Sequence, residues 1–245
     1  MRLVRSFSSN GHTRRNGSGN GNGVAGANSR DDVYTHGHHA SVISQHQART
    51  ASNSARFLLP HLQPKMKVLD VGCGPGSISV GLAQATQPGG YLVALDISKE
   101  IVEVAGRALA DAGLESSCYE CKAGSVYDLS SYEDSYFDVA FAHQVLQHLS
   151  APVEALVELK RVVKPGGVIA IRDADYSSML GYPNLRGIDR WRELYRETAR
   201  RNNAQPDAGR YLVSWGRQAG FEEIQFTTSV MVCIVSLNCF RGVPP

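Results

Sequence analysis

The sequence lacks several features that would each define a class of protein. No apolar run in its 245 residues reaches the roughly 18 residues that a transmembrane helix requires, so no membrane span is predicted. Five cysteines do not indicate a disulfide scaffold. Residues 1–30 hold five arginines and no acid, and the rest of the chain has 20 basic and 23 acidic residues, a net charge of −3. No nucleic-acid-binding surface is therefore predicted.

The first 30 residues also lack the apolar side chains that a core needs. They contain six Gly, five Asn and five Ser, a composition that predicts a disordered tail. Their arginine- and serine-rich start is similar to a mitochondrial presequence, which makes a mitochondrial location an alternative to the predicted cytoplasmic one. We expect one α/β domain over residues 31–230 and a divergent tail over 231–245.

An apolar run that ends in three alternating glycines is the main motif. Val68-Leu69-Asp70-Val71 predicts a buried parallel strand. Gly72, Gly74 and Gly76 then predict a tight turn before a helix, since glycine is needed where the backbone takes positive φ or lies against a ligand. Twenty residues after Gly76, Tyr91–Asp96 predicts a second strand that ends in an acid. A carboxylate there can accept hydrogen bonds from ribose hydroxyls, which indicates a nucleoside site.

The spacing of the turn distinguishes between nucleoside cofactors. The dinucleotide fingerprint is G-x-G-x-x-G/A, whereas this turn is G-x-G-x-G and follows an acid, Asp70. The pattern resembles the first motif of class I S-adenosylmethionine (SAM) methyltransferases, and among them the ubiquinone/menaquinone-type branch. The resemblance implies a doubly wound, Rossmann-like α/β sheet of the seven-strand type, SAM as cofactor and methyl transfer as activity. An NAD-dependent oxidoreductase is an alternative that the spacing and Asp70 disfavour.

The same resemblance implies roles for residues around the glycine turn. Asp70 and the glycine backbone would hold the methionyl part of SAM, and Asp96 the ribose. Many relatives carry an acid for the adenine amino group after the third strand, where this chain has Ser125. Ile97, Ser125 and Val126 are therefore the predicted adenine contacts. The serine leaves open a non-catalytic SAM-binding protein as a second alternative.

Residues that follow the fourth and fifth predicted strands are candidates for the reaction itself. Ligands of open α/β sheets lie beyond the carboxyl ends of the strands, which is where His143 and Gln144 stand. A histidine can take a proton near neutral pH, so His143 is the predicted catalytic base; the alternative is that it only fixes the loop. Gln144 is assigned to the cofactor site. Asp173 and Tyr176 are predicted to contact the acceptor, with Asp173 also a candidate for orienting a histidine.

A histidine-rich segment precedes the first strand of the predicted domain. Tyr34-Thr35-His36-Gly37-His38-His39 has no Cys or carboxylate cluster at ligand spacing to complete a metal site, so no metal is predicted. The resemblance implies instead that Tyr34, His38 and His39 form a substrate-facing edge. A helix over about residues 40–59 would follow and close over the cofactor.

The resemblance ends past Val230. Relatives continue to a final antiparallel strand between strands five and six, whereas this chain runs through 231–245 with a different pattern. Either this segment supplies a shortened last strand, or that strand is missing; we expect truncation. The family likeness implies a small organic acceptor, methylated at O, N or C, with a secondary-metabolite pathway as the suggested setting.

Overall fold

The computed structural model of the chain describes residues 2–4 and 48–230. Its strands are β1 (Arg2–Val4), β2 (Lys67–Val71), β3 (Tyr91–Asp96), β4 (Tyr119–Ala123), β5 (Phe137–His143), β6 (Val163–Arg172) and β7 (Glu223–Gln225). Its α-helices are α1 (Ala51–Ser54), α2 (Ser77–Ala85), α3 (Lys99–Asp111), α4 (Pro152–Val162), α5 (Arg186–Arg201) and α6 (Leu212–Gln218). Short 3₁₀ turns lie between several of these elements.

The strands form a single seven-stranded sheet in the order β4-β3-β2-β5-β6-β1-β7. The five strands from β4 to β6 are parallel to one another. Strand β2 lies between β3 and β5, so the chain adds strands first to one side of β2 and then to the other. This topological switch point is where open α/β sheets bind ligands, outside the carboxyl ends of the strands.

Helices cover both faces of the sheet because its central strands are apolar on both sides. In β2, Val68 belongs to a core cluster that includes Leu82 of α2, whereas the next residue, Leu69, belongs to a second cluster that includes Leu156 of α4. All four side chains are fully buried. Neighbouring residues of a strand point to opposite faces, so one strand contributes to both cores. The predicted doubly wound α/β fold is confirmed.

Strand β1 departs from two expectations. Residues Arg2–Val4 pair antiparallel with both β6 and β7, and Leu3 stands opposite Ile169 on one side and Ile224 on the other. The prediction of a wholly disordered tail is therefore wrong for residues 2–4. Backbone N–H and C=O groups of β6 and β7 need hydrogen-bond partners, and the start of the chain supplies them. It occupies the antiparallel position between the fifth parallel strand and its neighbour where the last strand was expected.

The start of the domain is less helical than predicted. The helix α1 covers only Ala51–Ser54, so the prediction of a helix to about residue 59 is wrong beyond Ser54. The guanidinium of Arg172 donates to the carbonyl oxygens of Asn53 at 2.9 Å and Ser54 at 3.3 Å. A cation that satisfies the last carbonyls favours a helix end there. Residues 5–47 and 231–245 lie outside the described residues, so the expectations for Tyr34, His38, His39 and the C-terminal segment stay predictions.

Candidate cofactor and acceptor sites

The turn between β2 and α2 combines close packing with an open side. Gly72, Gly74 and Gly76 have φ angles of +63°, +55° and +82°. A Cβ on Gly76 would lie 2.8 Å from Cα of Ala105, so glycine lets the start of α2 pack against α3. A Cβ on Gly74 would meet no heavy atom within 4 Å. Space that only a glycine backbone borders is what a ligand needs to approach the chain closely.

Asp70 is a buried carboxyl directly beneath this turn. It is 2 % exposed, and the hydroxyl of Ser79 donates to its Oδ2 at 2.5 Å. Burial raises the pKa of Asp70 to about 7; the Ser79 hydrogen bond opposes this and the charge of Asp96 adds to it. Ser79 was not predicted, although a serine inside an apolar helix is the feature that would have identified it. A cationic group of a ligand would favour ionised Asp70.

Asp96 is held by backbone N–H groups on both of its oxygens. Gly74 N–H donates to Oδ2 and Ser98 N–H donates to Oδ1, each at 3.1 Å. Each oxygen keeps a further lone pair, so the carboxylate is oriented and can still accept two hydroxyl hydrogens. The side chain of Ile97 next to it is 66 % exposed. The arrangement fits a ribose at Asp96 with an apolar contact at Ile97.

The remaining adenine candidates lie at the end of β4. Gly124 N–H donates to the carbonyl oxygen of Asp96 at 2.9 Å, which joins this segment to β3. The hydroxyl of Ser125 accepts from Tyr127 N–H at 3.2 Å. Val126 is 6 % exposed and belongs to the core cluster. Of the two apolar candidates, Ile97 therefore has the exposed side chain.

His143 and Gln144 lie at the carboxyl end of β5. His143 is 7 % exposed, and its ring is nearly parallel to that of Phe141, with centroids 6.4 Å apart. Phe141 stands opposite Asp70 in the neighbouring strand. Two residues further along one strand face the same side, so His143 shares the sheet face of Asp70. Gln144 adopts a left-handed φ of +57° and donates its N–H to the carbonyl oxygen of Arg172 at 2.7 Å.

Asp173 and Tyr176 follow the end of β6. Asp173 Oδ1 accepts from Gln147 N–H at 3.2 Å. The expectation that Asp173 orients a histidine stays a prediction, because five of the eight histidines lie outside the described residues. Burial raises the pKa of Asp173 to about 7, and the backbone N–H groups of Gln147 and Leu146 oppose this. Tyr176 is 8 % exposed, and its ring centroid lies 4.3 Å from that of Tyr195 in α5.

The segment from the end of β6 into α5 has an exposed apolar surface. Leu180 and Tyr182 are almost fully exposed, and Trp191 is 49 % exposed. Trp191 stacks on Tyr195, which in turn contacts Tyr176. The apolar face of α5 thus extends from the acceptor candidates to the protein surface.

Residues 2–4 and 48–230 contain neither a metal-binding cluster nor a helix that could span a membrane. Within them, no group of three or more His, Cys, Asp or Glu side chains is arranged to hold a metal ion. None of the helices in this part of the chain has the length and apolar character to cross a bilayer.

A glycine turn at a topological switch point, with one acid before it and a second acid on the next strand, defines a nucleoside-binding α/β protein. A family model described as a methyltransferase domain matches residues 62–216, and the chain belongs to this methyltransferase family. An uncharacterized methyltransferase of Schizosaccharomyces pombe is 36% identical over 194 residues, which cover 77% of this chain and 68% of that protein.

Two further relatives extend the comparison. A demethylmenaquinone methyltransferase of Bacillus cytotoxicus is 31% identical over 145 residues, covering 59% of this chain and 60% of that protein. The crystal structure of a SAM-dependent methyltransferase from Aquifex aeolicus has a TM-score of 0.52 and 25% identity, covering 66% of this chain and 88% of that one. The resemblance to class I SAM methyltransferases is confirmed, and with it SAM as the cofactor of an enzyme.

The site geometry agrees with this cofactor. The open space at Gly74 lets SAM lie against the backbone. The remaining lone pairs of Asp96 suit the ribose hydroxyls, and the buried carboxyl of Asp70 suits the ammonium group. The relatives and the solved structure described above are methyltransferases, which favours SAM over the alternative of an NAD-dependent oxidoreductase.

Proposed function

We propose that the chain transfers a methyl group from SAM to a small organic acceptor that binds beside the carboxyl ends of β5 and β6. The observation that carries this proposal is the position of His143. It is buried at the end of β5 on the sheet face of Asp70, while Asp173 and Tyr176 follow the adjacent strand. Cofactor and acceptor candidates thus stand on neighbouring strands.

The chemistry asks little of the protein beyond alignment. Bound SAM supplies a methyl group on a sulfonium, which is an excellent leaving group, so orientation in a water-poor site provides most of the rate. Asp70 would hold the amino group, Asp96 the ribose, and Ile97 and Ser125 the adenine. His143 would take the proton from an acceptor hydroxyl, amine or acidic carbon. Gln144, fixed by its bond to Arg172, would border the methyl group.

In this proposal the acceptor is a compound of small-molecule metabolism and belongs to a secondary-metabolite pathway. The protein itself is proposed to be cytoplasmic. The relative from Bacillus cytotoxicus supports an acceptor from small-molecule metabolism, since its name gives demethylmenaquinone as the compound that it methylates. Subcellular fractionation of cells that express the chain with a C-terminal tag tests the location. Metabolite profiling of a deletion strain tests the pathway.

Calorimetric titration of the full chain with SAM and with its demethylated product is the first experiment. We expect binding of both, and a loss of at least about 100-fold in affinity in Asp96→Ala, because two hydroxyl partners lose a charged acceptor. Asp111→Ala, an exposed acid at the end of α3, is the matched control and should bind as the parent does. A folded chain that binds neither compound would contradict the cofactor site.

A screen of acceptors, followed through formation of the demethylated product, tests catalysis. His143→Gln should lower kcat and leave SAM affinity near that of the parent, because the proposed role is proton transfer. SAM binding without turnover on any acceptor would support the alternative of a non-catalytic SAM-binding protein. Unchanged kcat in His143→Gln would reduce His143 to a residue that fixes the loop.

A further inference from the structure

Two buried oxygen atoms at the end of β6 have no hydrogen-bond partner among the described residues: Oε1 of Gln147 and Oδ2 of Asp173. Gln147 is 1 % exposed, and its other polar groups are engaged. Its N–H donates to Asp173 Oδ1, its carbonyl oxygen accepts from Gln205 N–H at 2.9 Å, and its side-chain nitrogen lies 3.1 Å from Nε2 of His148. Buried polar atoms are nearly always hydrogen-bonded, so each exception needs an explanation.

The contrast with neighbouring acids shows that Asp173 is unusual. Asp175 forms an ion pair with Arg210 at 2.9 Å. Asp207 forms ion pairs with Arg196 and Arg200 at 2.9 and 3.2 Å. Asp173 has no such cation within residues 48–230. This segment is therefore rich in arginine, yet none of the arginines in residues 48–230 pairs with the buried Oδ2 of Asp173.

An aromatic group borders this pair. Tyr176 follows Asp173 by three residues, and Asp173 is close enough for its charge to contribute to the pKa of Tyr176, which burial raises and Tyr195 and Arg49 lower. Tyr176 contacts Tyr195, and Tyr195 stacks on Trp191 with ring centroids 5.8 Å apart. Aromatic side chains present flat apolar surfaces against which rings pack. Gln147 and Tyr176 hydrogen-bond to the consecutive residues Gln205 and Pro206, so the two unsatisfied oxygens and this aromatic group lie in one part of the site.

We propose that Gln147 and Asp173 form the acceptor-binding subsite and that they recognise an aromatic acceptor through two of its O–H or N–H donors. This deepens the proposed function and depends on it. The two oxygens would accept those hydrogens, and the ring would pack on the side of Tyr176. Asp173 and Gln147 are binding residues here, whereas proton transfer stays with His143. An acceptor without donors would leave both oxygens buried and unsatisfied, which costs free energy in the complex.

Ligand-observed NMR titration of the full chain, saturated with the demethylated product of SAM, tests the subsite. The probes are the three dihydroxybenzenes, which cover different donor spacings, and their dimethyl ethers, which keep the ring and lose the donors. We expect at least one dihydroxybenzene to bind about tenfold or more tightly than its ether, the size of one buried hydrogen bond. Equal affinities, or binding of none of the six probes, would overturn the proposal.

Two variants locate the effect. Asp173→Asn can still accept from Gln147 N–H while its NH₂ group becomes a donor at the Oδ2 position, and Gln147→Met removes the open oxygen at similar volume. Each should abolish the preference for the dihydroxybenzene, whereas Asp175→Asn should keep it. Unchanged preference in both site variants would contradict the assignment.

Thermal unfolding gives a second readout that a purely structural role would not produce. Gln147→Met should change the Tm of the free chain little, because removal of the unsatisfied buried oxygen is offset by loss of the side-chain nitrogen that lies 3.1 Å from Nε2 of His148. A lower Tm together with an unchanged probe preference would make Gln147 structural. Binding of the demethylated product, measured in every variant, separates failure of this subsite from failure of the methyltransferase proposal.

Discussion

The two halves of the sheet are assembled in different ways. The cofactor half, β4-β3-β2, comes from one continuous stretch over residues 67–123, and all of its strands are parallel. The acceptor half, β5-β6-β1-β7, combines residues 137–172 with the start of the chain and with Glu223–Gln225. A local segment therefore determines the first half, whereas the second depends on parts of the chain that are far apart in sequence.

The polar groups of the two halves differ in the same way. In the cofactor half, Asp70 bonds to a serine nine residues away and both oxygens of Asp96 accept from nearby N–H groups. In the acceptor half, Asp173 bonds to Gln147 from another strand end and keeps one buried oxygen without a partner. The acids of the cofactor half are thus held in place by protein groups before a ligand binds. In the acceptor half, our proposal is that a ligand supplies the hydrogen bonds that Asp173 and Gln147 lack. The following predictions test this contrast from the largest expected effect to the smallest.

Gly76→Ala should disrupt the cofactor half most. A methyl group there meets the backbone of Ala105 at 2.8 Å, and φ is +82°, so we expect a loss of about 3 kcal/mol in the free energy of unfolding. Gly74→Ala is the matched control, because its φ is also positive but its Cβ meets no atom within 4 Å. It should cost about 1 kcal/mol and weaken SAM binding. Urea denaturation and calorimetry measure both effects, and equal destabilisation by the two variants would contradict this account of the turn.

Leu3→Pro should weaken the acceptor half and spare the cofactor half. Proline removes an N–H from the middle of β1, which is paired on both sides, so we expect a loss of about 2 kcal/mol in stability. SAM affinity should stay within about threefold of the parent, since β1 is separated from β2 by β5 and β6. Leu3→Ala, which keeps the N–H, is the control in urea denaturation. If Leu3→Pro were as stable as Leu3→Ala, the backbone pairing of β1 would not contribute to the sheet.

The same contrast explains how much could be predicted from the sequence. The glycine turn and the acid of Asp96 are local patterns, and β3 runs over Tyr91–Asp96 as predicted. The place of Arg2–Val4 in the sheet could not be inferred, because a three-residue strand has no periodicity and its pairing is set by distant edges. Gln147 was missed for a related reason: nothing in a single sequence shows that a glutamine is buried with one oxygen left over.

The pKa of Asp70 makes the cofactor half sensitive to pH. With a pKa raised by burial to about 7, Asp70 is mostly neutral at pH 6 and mostly ionised at pH 8. A ligand ammonium binds the ionised form, so SAM affinity should rise about tenfold between these values. The free chain should change in the opposite direction, because a carboxyl whose folded pKa exceeds its unfolded one contributes stability at low pH that is lost as the pH rises through the folded value.

Asp70→Asn isolates this effect. The variant should bind SAM weakly with little dependence on pH, whereas Asp173→Asn should keep the pH dependence of SAM binding, since Asp173 lies in the acceptor half. Calorimetry at pH 6, 7 and 8 measures this. A tenfold dependence that survived in Asp70→Asn would assign the titration to another group.

Trp191→Ala should have the smallest effect on stability and thereby show how exposed the acceptor half is. Trp191 is 49 % exposed, so its removal should change the free energy of unfolding by less than about 1 kcal/mol. Leu156→Ala, in the fully buried core beside the same half of the sheet, should cost about 3 kcal/mol. SAM affinity should be unchanged in Trp191→Ala, because α5 lies outside the cofactor half. If Trp191→Ala destabilised the chain as much as Leu156→Ala, the acceptor half would be more closed than its exposed aromatic surface indicates.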